Sequence, residues 1–172
     1  MEIADLLKKA KKGDDHAFYL LIKIHRDRLL KVAISYLKNE GEALEALQEV
    51  TFRAYKSIKK VKKPEYFSTW ITRIMLNYCH DQAKHRKRMT VTDLFEEHNS
   101  KEDYEQKIVI EEALAKIDDR SREVIILKYY HDLKIKEIAD ILDSPESTIK
   151  TWLYKGMKSL RKELGEGSGI HV

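Results

Sequence analysis

A chain of 172 residues with only two prolines and six glycines has few places where it can reverse direction tightly, and that scarcity narrows the folds open to it. Sandwiches and small barrels need frequent turns, which lean on Gly and Pro for backbone angles that other residues resist. Lys, Glu, Leu and Ile abound instead, and all but Ile rank among the better helix formers. The expectation is an all-α protein. Hydrophobic residues at 42% suffice for a core, and the length permits one domain or two small ones. Cys79 is the only cysteine, so no internal disulfide can form and a reducing, cytoplasmic setting is expected. No apolar run approaches the roughly 20 residues that span a bilayer, so direct membrane insertion is not expected.

Charge is nearly balanced at +4, but it comes in blocks. Lys56 to Lys63 holds five lysines and no acid, Lys84 to Arg88 reads Lys-His-Arg-Lys-Arg, and Ser147 to Leu164 carries five basic residues against Glu163 alone. Between the second and third blocks, Thr92 to Glu105 has six acids against Lys101 and no long apolar periodicity. Such a stretch reads as a solvated connection. The expected organisation is two small helical domains, 1–88 and 108–164, joined by a flexible linker over 89–107 and followed by a glycine-rich, disordered tail, 165–172.

In the first half, Asp14-Asp15 can cap a helix in which Ala17, Leu20, Leu21, Ile24, Val32, Tyr36 and Leu37 recur at near-helical spacing. Asn39-Glu40-Gly41-Glu42 punctuates it. A second helix from about Ala43 to Ile58 presents Leu47, Val50, Ala54 and Ile58 inward. After the lysine-rich loop, Ser68 is expected to cap a third helix with the stripe Trp70, Ile71, Ile74, Met75 and Tyr78. In the second half, helices are expected at about Glu105–Ile117, Ser121–Tyr130, Ile135–Leu142 and Ser147–Leu164.

The last two form a pattern of their own. Ile135, Ile138, Ala139 and Leu142 share one face of a short helix, with Ala139 small enough for a second helix to cross closely. Pro145 forbids continuation, because it lacks an N–H and its ring clashes with the preceding turn. Ser147 can cap the next helix, whose Ile149, Leu153, Met157, Leu160 and Leu164 gather on one side while Thr151, Tyr154, Lys155, Lys158 and Lys162 occupy the other. A short helix, a sharp turn and a longer cationic helix is the form that enters the major groove of DNA. The candidate contacts are Lys150, Thr151, Tyr154, Lys155 and Lys158. Trp152, at the edge of the apolar face, is expected to pack.

Leu47-Gln48-Glu49-Val50-Thr51-Phe52-Arg53-Ala54-Tyr55, followed by Phe67-Ser68-Thr69-Trp70-Ile71-Thr72-Arg73-Ile74-Met75-Leu76-Asn77, resembles the promoter-melting domain of bacterial RNA polymerase sigma factors of the extracytoplasmic-function (ECF) group. Arg122 to Tyr129, Ile135 to Leu142 and Thr148-Ile149-Lys150-Thr151 resemble that group's second domain, which reads the upstream promoter element. Both sets appear in the expected order, and together they cover most of Lys9 to Leu164.

The resemblance implies a factor that binds core RNA polymerase, recognises the −35 and −10 promoter elements and promotes melting for transcription initiation, in a stress response. It implies that Glu45, Gln48 and Glu49, on one exposed helix side at i, i+3 and i+4, meet the polymerase. Lys62, Lys63, Phe67, Asn77, Lys84, Arg86 and Arg88 are then the residues for the downstream element. Lys62 and Lys63 would hold phosphates, Tyr66 or Phe67 would offer a stacking face, and Asn77 matches a DNA-contacting family position. Lys84, Arg86, Lys87 and Arg88 would track duplex phosphates. An anti-sigma partner that wedges between the domains is also implied. The chain departs from the family at Leu44, where an acid is usual, at Asp143, where glycine is usual, at Glu146-Ser147, where a small residue and a glycine are usual, and at Trp152, where arginine is frequent.

Other signals carry less. His25-Arg26-Asp27 has the letters of a kinase catalytic loop, but no asparagine follows at the required spacing and no glycine-rich phosphate loop exists. Cys79-His80, adjacent on a helix, cannot face one metal together. No catalytic cluster and no cofactor is expected, and the protein is read as a non-enzyme. The rival readings are a free-standing helix-turn-helix regulator that binds operator DNA, and a small nuclease, which would need clustered carboxylates or histidines.

Overall fold

The structure is a computed structural model in which residues 2–85 and 101–165 are described. The chain divides into two compact units between Met89 and Thr90. Every element among the described residues is helical.

The first unit contains α1 (Ile3–Lys11), α2 (Asp15–Leu37), α3 (Glu40–Ser57), short 3-10 turns at Ile58–Lys60 and Pro64–Tyr66, and α4 (Phe67–His85). The Asp14 carboxylate accepts from the Ala17 N–H at 2.9 Å and starts α2 as expected. Asn39 does the same for α3 through the Glu42 N–H at 2.9 Å, so α3 begins at Glu40 and Gly41 lies inside its first turn rather than ahead of it. Lys38 makes the reversal between them in the left-handed region, at φ 58°.

α2, α3 and α4 pack on one another around Leu21, Leu29, Val32, Val50, Ile71 and Met75, all fully buried. α1 lies against α2 and both 3-10 turns, with Leu6, Leu7 and Ala10 buried; the sequence reading had not distinguished this helix. In α2, Ile24 is exposed and His25 is buried in its place. The His25 ring packs edge-on to Phe67 with centroids 5.0 Å apart, and its Nδ1 lies 2.8 Å from the Leu21 carbonyl.

The second unit contains α5 (Lys101–Ala115), α6 (Asp119–Ile125) widening into a π-helical turn over Ile126–Tyr130, α7 (Ile135–Leu142) and α8 (Glu146–Leu164). α5 starts at Lys101, inside the stretch 89–107 read from sequence as a linker. Lys and Glu are good helix formers even without an apolar stripe, so charge density alone did not mark the end of the connection. The rest of that stretch, up to residue 100, and the tail beyond Gly165 lie outside the described residues. Leu127, Leu133, Ile138 and Ile149 fill the core of this unit. Leu114, Ile117 and Ile125 form a second cluster on which Leu153, Met157 and Leu160 of α8 rest.

Candidate nucleic-acid interface

α7 and α8 make the helix-turn-helix. α7 ends at Asp143, which adopts left-handed geometry at φ 52° and ψ 48°; the short polar side chain of Asp tolerates this where most residues would not. The Ser144 N–H returns to the Ala139 carbonyl at 3.0 Å. α8 does not begin with a Ser147 cap. Pro145 takes the N-cap position, where its missing N–H costs no helical bond, and its carbonyl accepts from Thr148 and Ile149 at 3.0 and 3.1 Å. Ser147 sits inside the first turn and its carbonyl accepts the Thr151 hydroxyl at 2.9 Å.

Ala139 is buried where α7 packs on α8, and a second close crossing, not anticipated, lies at Gly156. There α8 approaches α6 so nearly that a Cβ would stand 2.8 Å from Ile125 Cδ1 and 3.0 Å from Ser121 Cβ. Ile149 and Gly156 are buried, and Leu153, Met157 and Leu160 face the α5–α6 cluster. The opposite side is open: Lys150, Thr151, Tyr154, Lys155 and Lys158 are all exposed, Tyr154 by 72%.

Two residues at the start of α6, its N-cap Asp118 and Arg120, reach this face and were missed by sequence reasoning. Asp118 caps α6 by accepting the Ser121 N–H at 3.1 Å, and its other oxygen lies 3.7 Å from Lys155 Nζ. The Ser121 hydrogen bond chiefly, with help from Lys155, holds its carboxyl below the usual range. Arg120 places its guanidinium 5.6 Å from the centre of the Trp152 ring, setting a cation beside the position where the family often has one. Only a fold that lays α6 along α8 brings these residues there.

In the first unit the lysine-rich loop is anchored by Ile58 and Val61, both buried, and leaves Lys62 and Lys63 exposed. Phe67 is corrected here: its ring is fully buried between His25 and Trp70, with no face left for a base. Tyr66, the alternative read from sequence, is 43% exposed, and Lys63 Nζ lies 5.9 Å from its ring centre.

Ser68 is not an N-cap, because the 3-10 turn before α4 runs directly into it; the Ser68 hydroxyl instead accepts from Arg28 Nη1 at 2.9 Å. The buried face of α4 is Phe67, Ile71, Thr72, Met75, Leu76 and Cys79, turned by about one position from the expected stripe. Trp70, Ile74 and Tyr78 are half-buried at its edge. The turn leaves Asn77 and Lys84, seven residues apart, exposed on one side of α4. Arg86, Lys87 and Arg88 lie outside the described residues. Cys79 is fully buried, and burial pushes its thiol up to about 12, so it stays protonated and unreactive.

On α3, Glu45 and Gln48 are exposed and Glu49 is half-buried, its carboxylate 2.8 Å from Arg53 Nε. Beside this ridge an apolar groove of about 610 Å³ runs between α2 and α3, lined by Phe18, Tyr19, Leu47, Gln48, Phe52 and Tyr55. The exposed rings of Phe52 and Tyr55 were not singled out from sequence; both lie off the inward face of Leu47, Val50, Ala54 and Ile58 expected for this helix. Among the described residues no group of His, Cys, Asp and Glu could hold a metal ion, and no helix is long and apolar enough to cross a membrane.

Known proteins share both halves. The family model for sigma-70 region 2 matches residues 21–89, and the model for sigma-70 region 4 matches residues 107–160. The ECF RNA polymerase sigma factor SigW of Bacillus subtilis is 31% identical over 182 residues, covering 95% of this chain and 97% of SigW. RNA polymerase sigma factor SigV of the same organism is 32% identical over 143 residues, covering 81% and 86%. Among solved structures, CnrH in complex with the cytosolic domain of CnrY superposes with a TM-score of 0.70 at 22% identity, over 92% of this chain and 95% of that one. The sigma factor RpoE of Bartonella quintana, in complex with the anti-sigma factor NepR, gives 0.61 at 21% identity, over 89% and 97%. At such identities these two structures speak for the fold.

Proposed function

Because this chain belongs to the ECF group of the sigma-70 family of RNA polymerase sigma factors, we propose a division of labour in which each unit holds one promoter element. α8 reads the upstream (−35) element with Lys150, Thr151 and Tyr154 near its N-terminus, while Lys155 and Lys158 hold phosphates. The loop and α4 serve the downstream (−10) element. Lys62 and Lys63 grip the single strand, Tyr66 stacks on an unpaired base in place of Phe67, and Asn77 and Lys84 contact DNA along α4.

Extracting a base from the duplex costs a few kcal/mol, and stacking on an aromatic ring returns about 1–3 kcal/mol per base. Melting therefore needs no nucleotide hydrolysis, and the chemistry of RNA synthesis belongs to the polymerase. Glu45, Gln48 and Glu49 dock on core RNA polymerase, with the neighbouring groove widening that contact. The relatives CnrH and RpoE were solved with CnrY and NepR, and an anti-sigma partner is proposed for this chain as well. Promoter binding and polymerase assembly place its work in the cytoplasm.

The observation that carries the reading is the sidedness of α8: its apolar side is taken up by α6 and α5, and its cationic side is exposed. The test is transcription. Purified chain with core polymerase is expected to start transcripts at defined sites on genomic fragments, while the chain alone binds duplex DNA weakly. Tight, site-specific binding without polymerase would overturn the reading in favour of a free-standing regulator.

A further inference from the structure

The fold brings together two lysine clusters that lie about 50 residues apart in sequence. α1 carries Lys8, Lys9 and Lys11, with Lys12 at its C-terminal end, and its apolar side is buried against the first unit. The loop carries Lys59, Lys60, Lys62 and Lys63, all exposed. α1 packs against both 3-10 turns that frame this loop, and Lys11 Nζ donates to the Val61 carbonyl. Lys8 lies one turn back from Lys11 and is exposed, as is Lys12. Among the described residues no carboxylate is ion-paired with these lysines. Asp5 on α1 and Glu65 in the second 3-10 turn are exposed and form none of these pairs, while Asp14 accepts from the Ala17 N–H and Asp15 from the Tyr55 hydroxyl at 2.8 Å.

We propose that α1 is a further DNA-contacting element, in which Lys8 and Lys12 hold phosphates of the same displaced single strand that the loop grips, while Lys11 ties helix and loop into one surface. This rests on the function proposed above and extends its downstream site. Three features favour a nucleic-acid strand over a membrane surface. A membrane-lying helix needs a free apolar side, and in α1 Leu6, Leu7 and Ala10 are already buried. The exposed ring of Tyr66 beside Lys63 is the aromatic platform that single-strand sites combine with cations. The cations also come from two elements that pack on each other and are tied by the Lys11 bond to the Val61 carbonyl, so one strand can pass from one to the other.

The test uses the full chain assembled with core RNA polymerase on a genomic fragment where the pair starts transcripts. Open-complex half-life is followed between about 50 and 200 mM salt, the range over which phosphate contacts weaken most visibly. Lys8→Ala with Lys12→Ala is expected to shorten the half-life about tenfold. It should also flatten the logarithmic salt slope by about 1.4, since each single-strand phosphate contact contributes about 0.7. Start sites and thermal midpoint should not move, and Lys8→Gln with Lys12→Gln should behave alike.

An unchanged half-life and slope in the double variant, with Lys62→Ala and Lys63→Ala still shortening the half-life, would overturn the proposal and leave the downstream site intact. Loss of binding to phosphatidylglycerol vesicles with an unchanged half-life would overturn it in favour of a membrane surface. If the loop variants were silent as well, the downstream site itself would be wrong and α1's share in it would fall too.

Discussion

In the second unit one helix carries every proposed DNA contact, whereas in the first the contacts come from a loop, from α4 and from α1, brought together by a shared core. Lys150, Thr151, Tyr154, Lys155 and Lys158 need only the helical repeat to face one way. Lys62, Tyr66, Asn77 and Lys8 have no such local reason to be neighbours. A surface built on one helix should therefore tolerate loss of core packing gradually, and a composite surface should fail when its scaffold loosens.

The sharpest way to break this contrast is Phe67→Ala. Removing a fully buried ring between α2 and α4 is expected to cost about 3–5 kcal/mol. Calorimetry should show the melting of the first unit falling while that of the second stays in place, and open-complex formation should be lost. Joint movement of both transitions would mean the units are not energetically separate.

Gly156→Ala probes the other side. The new methyl meets Ser121 Cβ, which stands next to the backbone and cannot give way, and Ile125 Cδ1, which can. Overpacking of this kind costs about 1–3 kcal/mol, and tilting α8 should weaken upstream-element binding without changing opening at a pre-melted fragment. An unchanged melting curve would show that α8 does not need this crossing.

Acid provides a subtler discriminator. Burial chiefly, and Arg28 in addition, hold the His25 imidazole below its ordinary value of 6.5, against the pull of the Leu21 carbonyl. The unfolded chain takes up the proton first, so the contribution of His25 is complete above pH 6.5, is lost as the pH falls below it, and levels off once the folded ring is also protonated. Denaturant melts of wild type and His25→Gln between pH 7.5 and 5 should converge on acidification in the first unit only, within about the pH range where histidine titrates. Parallel curves would remove His25 as the cause.

The smallest effect is expected at Asp118. Asn caps a helix as well as Asp, so Asp118→Asn should preserve α6 while freeing Lys155. An exposed pair of this kind is worth at most about 1 kcal/mol, so upstream binding should tighten no more than about fivefold. Lys155→Ala should weaken binding about equally for all sequences and lower the salt slope by about 1, the signature of a phosphate contact. A sequence-dependent loss would instead make Lys155 a base reader.

What could be read in advance follows the same division. The Asp14 cap, the break at Pro145 and the apolar face of α8 depend on neighbours within a few residues, and they appear where the local pattern puts them. Ile24 and His25 exchanged places because a stripe identifies a side of a helix only to within about one position, and packing chooses which residue turns in. Ser68 and Ser147 have the chemistry of caps, but the preceding turns carry the chain into the helix before either is reached. α1 was missed although Leu6, Leu7 and Ala10 have helical spacing, because nine residues make a weak signal without the core that stabilises them.

The amino-acid order by itself determined that this chain is helical, that its second half ends in a helix-turn-helix, and which side of α8 is cationic, because each of these depends on the helical repeat and on caps and breakers close in sequence. Tertiary structure alone decided that Tyr66 and not Phe67 is free to stack, that α8 crosses α6 at Gly156, and that α1's lysines join those of the loop. Burial and proximity depend on which distant segments arrive at a residue, and no local pattern carries that information.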